Sequence, residues 1–278
     1  MSTVEVAVEA RAQLGEGPTW DPAAGHLLWV DILSAEVHAY DPGPGADRLL
    51  LRTETHVGAV KPRAGGGYVV NLRDGIGLYE ADGAFRMLAD LAVAGVRGNE
   101  AVVAPDGSLW AGTMRYDQRT GGGKLYRIGP DGAVTTLIDE VTISNGTGWS
   151  LDGRLVYYVD TPTRRIDVFD AAGSHELTNR RAFVEIDGPG KPDGLTVDAD
   201  GCVWVALYGG GAVHRYTPDG RLDRTVEVPA ANTTSCAFGG AELRDLYITS
   251  AASDDALAGA LFVAPGIGQG IPSPAFAG

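Results

Sequence analysis

The sequence of 278 residues predicts an all-β fold, a six-bladed β-propeller of four-stranded antiparallel blades whose ring is closed by the N-terminal strand. Three observations predict it. With 40 Gly and 15 Pro the turns are dense, and almost no segment carries an apolar 3.6-residue period long enough for a helix. A turn followed by a strand of aromatic and β-branched residues occurs six times, each time with a second such strand behind it. The copies recur at roughly 40 to 47 residues, a period that belongs to four-stranded blades.

In chain order the first strands of these pairs cover 25–31, 66–71, 106–112, 152–160, 200–206 and 242–249. Their partners cover 36–40, 75–79, 123–128, 165–169, 212–216 and 259–263. Blades of this kind bury their faces only by stacking around a central channel, which leaves the closure of the ring to be explained. The alternating segment from Val4 to Val8 stands before the first blade and is free to become the outer strand of the last one. The Gly- and Pro-rich tail after Pro265 is expected to be poor in strands. No linker or composition shift divides residues 1–278, so the chain reads as one domain.

A formal net charge of -14 argues against a nucleic-acid binder, which needs clustered Lys and Arg. The N-terminus has no basic region followed by an apolar core, and no apolar run approaches the roughly 20 residues of a membrane span. The expectation is a cytoplasmic protein without membrane partners. Cys202 and Cys236 each adjoin a strand pattern and are read as buried thiols, with a single bridge between them as the alternative. The histidines at 26, 38, 56, 175 and 214 show no ligand spacing, and no Gly-x-Ser-x-Gly elbow is present. The glycine clusters lack a following helix and a Lys-Ser/Thr pair, so they read as turns.

The chemistry is sought where the innermost strands begin, because those ends meet at one mouth of the channel. Counting back eight residues, or one or two more, from the first Gly of a hairpin turn reaches Glu16, Asn99, Asn145 and Asp193. Four blades therefore bring a carboxylate or an amide to one axial level. Taken singly, such residues are turn formers; the shared register is what raises them. Oxygen ligands alone suit a hard divalent cation such as Ca²⁺, Mg²⁺ or Mn²⁺. Arg97, two residues before Asn99, falls on the same side of an extended strand.

The stretches Leu14 to Trp20, Arg97 to Asn99, Gly112 to Met114, Ile143 to Gly146, Pro192 to Gly194, Thr233 to Cys236, Phe238 to Gly240 and Ala275 to Gly278, in this order, resemble the regucalcin / gluconolactonase / senescence-marker family of six-bladed propellers. The resemblance spans essentially the whole chain. It implies that Glu16, Asn145 and Asp193 hold one divalent metal ion (Ca, Zn, Mn, Mg or Fe(II)) and that Asp193 is also the general base. It further implies that Arg97 and Asn99 hold the hydroxyls of a sugar lactone. Asp117 stands where the family carries an acid after its Gly-Thr-Met motif, often a Glu.

The sequence departs from the family at Glu100-Ala101, Thr147 and Asn232, beside the pocket. The implied activity is metal-dependent opening of an aldonolactone such as gluconolactone or a pentonolactone to the aldonic acid, by a monomer or a dimer. The alternatives are a calcium-dependent phosphotriesterase or esterase on the same propeller, or a divalent-ion-binding propeller without catalysis.

Overall fold

Every turn-and-strand pair read from the sequence becomes the second and third strand of a blade. The computed structural model describes residues 3–171 and 176–278, and contains six sheets of four antiparallel strands. His175 lies outside the described residues. In blade 1 the strands run Gly15–Asp21, His26–Asp31, Glu36–Asp41 and Ala46–Arg52 from the axis outward. The innermost strands of blades 2 to 6 are Val57–Pro62, Val96–Val103, Ser144–Trp149, Lys191–Val197 and Thr233–Gly239.

Only the last blade departs from chain order. Its outer strand is Glu5–Val8, paired antiparallel with Leu261–Ala264 through Glu5 opposite Val263 and Val6 opposite Phe262. The ring is thus closed by the N-terminal strand, as the leftover alternating segment predicts. Among the described residues no helix is long and apolar enough to cross a membrane.

Packing follows the blades. Six apolar clusters fill the six gaps between neighbouring sheets, for example Leu28, Val30 and Val37 of blade 1 against Val57, Val60 and Val70 of blade 2. Trp29, Trp110 and Trp204, on the second strands of blades 1, 3 and 5, are among the largest fully buried side chains. A fully buried apolar side chain of this order contributes about 1.5–3 kcal/mol, so these gaps carry much of the stability. Cys202 and Cys236 are both buried free thiols.

The tail after Pro265 is indeed poor in strands, but it is bound at both ends. Gly270 donates its N–H to Leu243 O at 2.7 Å, and Gln269 O accepts from Ala199 N at 2.8 Å. Further on, Phe276 N donates to Pro62 O at 2.9 Å and Ala277 N donates to Gly107 O at 3.0 Å. Phe276 is fully buried in the gap between blades 2 and 3. All these partners lie where inner strands end in hairpin turns. The tail therefore crosses that face from blades 5 and 6 to blades 2 and 3.

Candidate functional site

The opposite face begins with a shared irregularity. In each of the six blades the register between the innermost strand and its neighbour slips by one residue near the strand's start. In blade 5, Pro192 faces Leu207 and Leu195 faces Val205, so three steps on one strand oppose two on the other. Such a bulge bends the strand and re-aims a side chain. The bulges lie at Glu16–Thr19, Val57–Ala59, Gly98–Ala101, Ser144–Thr147, Pro192–Leu195 and Thr233–Ser235. Asn99, Asn145 and Asp193 each take the position just after the first paired residue of their bulge, and Glu16 stands one residue earlier in its own, opposite Val30.

Blade 2 carries no side chain at that level. A Cβ on Gly58 would stand 2.3 Å from Asn99 O, so the backbones of blades 2 and 3 touch there. The loops leading into the site are tied down from below. Asp31 accepts hydrogen bonds from the N–H groups of Gln13 and Leu14, each at 3.0 Å, just before Glu16. Asp160 does the same for Thr142 and Ile143, at 3.1 and 2.9 Å, just before Asn145.

Arg97, Asn99 and Asn145 form one buried chain of hydrogen bonds. Arg97 Nη1 donates to Asn99 Oδ1 at 2.6 Å, and Asn99 Nδ2 donates to Asn145 Oδ1 at 2.7 Å and to Ser144 O at 2.9 Å. Asn145 Nδ2 donates to Thr161 Oγ1 at 2.7 Å, whose hydroxyl continues to Pro192 O at 2.8 Å. Because a guanidinium only donates, it fixes which way both amides face. Asn145 therefore turns its oxygen toward the channel network. Asn71 braces the same bulge from blade 2, donating to Asn99 O and Gly112 O, both at 2.9 Å.

Glu16 accepts from Gly17 N at 2.9 Å, while Asp193 Oδ1 is buried with no hydrogen-bond partner. Two further charges complete the cluster. Lys61 on the innermost strand of blade 2 is 7% exposed and donates to Thr19 Oγ1, and Glu100 follows Asn99 in the blade 3 bulge. Burial, opposed by Gly17 N–H, Arg97 and Lys61, raises the Glu16 carboxyl to about 7. Burial first, then the charges of Glu16 and Glu100, push Asp193 well above the usual carboxylate range. Burial and the Glu16 charge raise Glu100 to about 8, and burial lowers Lys61 to about 8.

Three carboxylates thus face two cations, Arg97 and Lys61, in a dry place. The set is one positive charge short, and two of its oxygens, Asp193 Oδ1 and Glu100 Oε2, have no donor. An all-oxygen set in that condition fits a hard divalent cation. Among the described residues no three His, Cys, Asp or Glu converge as a cage; the level offers two carboxylates and an amide instead.

Asp117 stands apart from this chain of bonds. Its side chain is 54% exposed and makes a two-pronged ion pair with Arg115, both bonds at 2.7 Å. That pair, with the N–H of Arg119, holds its carboxyl down at about 2. Its neighbour Tyr116 bonds across the mouth to His56 Nδ1 at 2.7 Å, and the charge of Arg97 reaches both rings.

Reading the sequence strand by strand finds Glu16, Arg97, Asn99, Asn145 and Asp193 but misses Lys61, Thr19, Asn71 and Thr161. It also treats Glu100 only as a departure. One signal was available: where blade 3 has Glu100, blades 4 and 5 have Gly146 and Gly194.

Fold and site together define a six-bladed propeller whose axial mouth carries the polar chemistry. The chain belongs to the SMP-30/gluconolactonase/LRE-like family, whose region matches residues 14–252. It is 38% identical over 256 residues to a pentonolactonase of Haloferax volcanii, covering 91% of this chain and 86% of that one. It is 36% identical over 293 residues to regucalcin of Danio rerio, covering 99% of this chain and 98% of that protein. Among solved structures, a calcium-binding regucalcin of Agrobacterium tumefaciens superposes with a TM-score of 0.92 at 32% identity, covering 98% of this chain and 96% of the other.

Proposed function

We propose that the chain hydrolyses an aldonolactone to the aldonic acid at the mouth built from Glu16, Arg97, Asn99, Asn145 and Asp193. The observation that carries this reading is the buried Asp193, with an unpartnered Oδ1 at the level of the Arg97–Asn99–Asn145 chain. The lactonase and the regucalcins among its relatives support it. Held by Glu16, Asn145 and Asp193, a divalent ion would supply Lewis-acid polarisation of the lactone carbonyl.

The chain's own residues do the rest. The guanidinium of Arg97 and the amide of Asn99 bind hydroxyls of the sugar and orient the ring, converting affinity into placement. Asp193 Oδ1 takes the proton of the water that adds to the carbonyl carbon. The same carboxyl returns that proton to the ring oxygen as the carbon–oxygen bond breaks, which leaves the open-chain hydroxy acid. Burial makes Asp193 a strong enough base for the first step and a ready acid for the second. Asp117 approaches the sugar from the loop above, released from Arg115 for the purpose.

The substrate is a small-molecule sugar lactone, and the protein works in the cytoplasm as a monomer or a dimer. Proton release from gluconolactone, xylonolactone and arabinonolactone, with each divalent ion in turn, is the direct assay. The reading predicts turnover of at least one lactone, abolished by a chelator and restored by metal. A folded protein inert toward the whole panel overturns it.

A further inference from the structure

The bond across the mouth between His56 and Tyr116 has no part in the mechanism above. His56 directly precedes Val57, the first paired residue of the blade 2 bulge, as Arg97 directly precedes Gly98, the first paired residue of the blade 3 bulge. The two residues therefore take the same position on neighbouring innermost strands. Val57 packs in the apolar gap shared with blade 1, so strand alternation sends the His56 side chain the other way, toward blade 3. One residue beyond Val57 stands Gly58, which offers a ligand no side chain. His56 is thus where this blade can reach a molecule held in the mouth.

The imidazole is held from both sides. Its Nδ1 bonds the Tyr116 hydroxyl at 2.7 Å, and the two rings meet edge to face with centroids 5.7 Å apart. Tyr116 follows the second strand of blade 3, Leu109–Arg115, and its N–H donates to Gly95 O at 3.0 Å. On the blade 2 side, His56 O accepts from Arg73 N at 2.9 Å. Tyr116 is 44% exposed, so the pair lies within reach of a ligand and outside the packed gaps. Among the described residues His56 Nε2 bonds to no other group. Burial first, then the charges of Arg97 and Arg73, hold the imidazole below its ordinary pKa, so it is neutral at neutral pH. With Nδ1 engaged, a neutral ring leaves Nε2 as one donor or one acceptor, and a hydroxyl can answer either.

We propose that His56 Nε2 binds a sugar hydroxyl at the end of the lactone remote from its carbonyl, as the blade 2 counterpart of Arg97, and that Tyr116 is the positioning residue that holds the imidazole for it. Glu16, Asn145 and Asp193 come from blades 1, 4 and 5, while Arg97 and Asn99 come from blade 3. A carbonyl held among the first three leaves the rest of the ring to extend toward blades 2 and 3. There Arg97 meets it from one strand and His56 from the next. The bond to Tyr116 removes the freedom of the imidazole before the sugar arrives, so less ordering is left for binding. This rests on the reading of the mouth as a lactone site.

The test is steady-state hydrolysis, by the full chain with its divalent ion, of whichever lactone of the panel it opens fastest, with thermal unfolding of each variant as a check on folding. His56→Ala should raise KM about fivefold and leave kcat within about twofold of wild type, since a hydrogen bond made equally in the ground and transition states is lost. His56→Gln keeps a donor and an acceptor near the place of Nε2 and should return KM to within about twofold of wild type. Tyr116→Phe should raise KM about threefold by itself and add nothing in the His56→Ala background, because its hydroxyl acts only through the imidazole. Wild-type KM in His56→Ala overturns the proposal, as does a fall in kcat at unchanged KM, a Gln variant no better than the Ala one, or full additivity of the two substitutions. If His56→Ala does not fold, Tyr116→Phe alone decides: a higher KM at unchanged kcat supports the proposal and wild-type KM overturns it. A wild-type protein that opens no lactone of the panel removes the functional reading and this proposal together, a result distinct from any difference between variants.

Discussion

The two ends of the propeller's innermost strands use the same residue type in opposite ways. Where blade 5 ends, Asp198 is almost wholly buried and fully engaged. It accepts from the N–H groups of Asp200 and Cys202 at 2.9 Å, from Trp204 Nε1 at 2.8 Å and from Arg215 at 2.8 Å. Where the same blade begins, Asp193 is 6% exposed and one of its oxygens has no donor. A satisfied buried carboxylate holds a turn together; an unsatisfied one is maintained at a cost by the rest of the fold. The difference is not visible in the residue type, and it separates architecture from chemistry within 5 residues of chain.

The sharpest way to break this comparison is to neutralise each acid in turn. Asp193→Asn should lower lactone turnover by about 1,000-fold or more, because in the proposed mechanism ligand and base are lost together. Its metal-free form should be more stable than wild type by about 1 kcal/mol, since an unpaired acid has been removed from a crowded site. Asp198→Ala should do the reverse, costing about 3 kcal/mol of stability by stranding three N–H donors and taking from Arg215 one of its three carboxylate partners. Denaturant unfolding beside a lactone assay tells the two apart. Equal loss of stability in both variants would mean that the two ends are alike.

A second test uses pH on the metal-free protein. Glu16 and Glu100 bind protons more tightly folded than unfolded, so stability should fall as pH rises from 4.5 toward about 7 for Glu16 and about 8 for Glu100. Lys61 is shifted the other way, so its penalty is present below about 8 and fades as pH climbs toward 10.5. The melting temperature should therefore pass through a minimum near the point where these meet, and an added divalent ion should fill that minimum in. A flat profile would show that the cluster is solvated and unstrained. The smallest effect is expected at the loop: Asp117→Asn should raise KM by about threefold with little change in kcat, as befits an exposed pair with Arg115.

The hairpin pattern made the architecture legible because strand period and turn residues are local signals. The N-terminal strand was legible too, as the one segment with no partner of its own. Asn99, Asn145 and Asp193 could be found by counting back from their turns, since each bulge adds one residue in the same place and so preserves the count, and Glu16 lies one residue further back. Lys61 escaped for the converse reason. Its blade has Gly58 at the ligand level, so counting back finds nothing there, and a strand pattern reports level but not what lies one tier deeper. Asn71 escaped because its task is to brace the bulge of another blade, a relation between strands 28 residues apart.

The tail that crosses the turn face changes what kind of object the ring is. A hoop fastened at one seam can spring open there, one segment at a time, beginning at the strand from Glu5 to Val8. A hoop with a brace across its diameter cannot widen without tearing the brace from both anchorages, Leu243 and Ala199 at one end and Pro62 and Gly107 at the other. The ring is thus held in two places, at the seam of the last blade and by the tail, so that opening the seam alone leaves it tied.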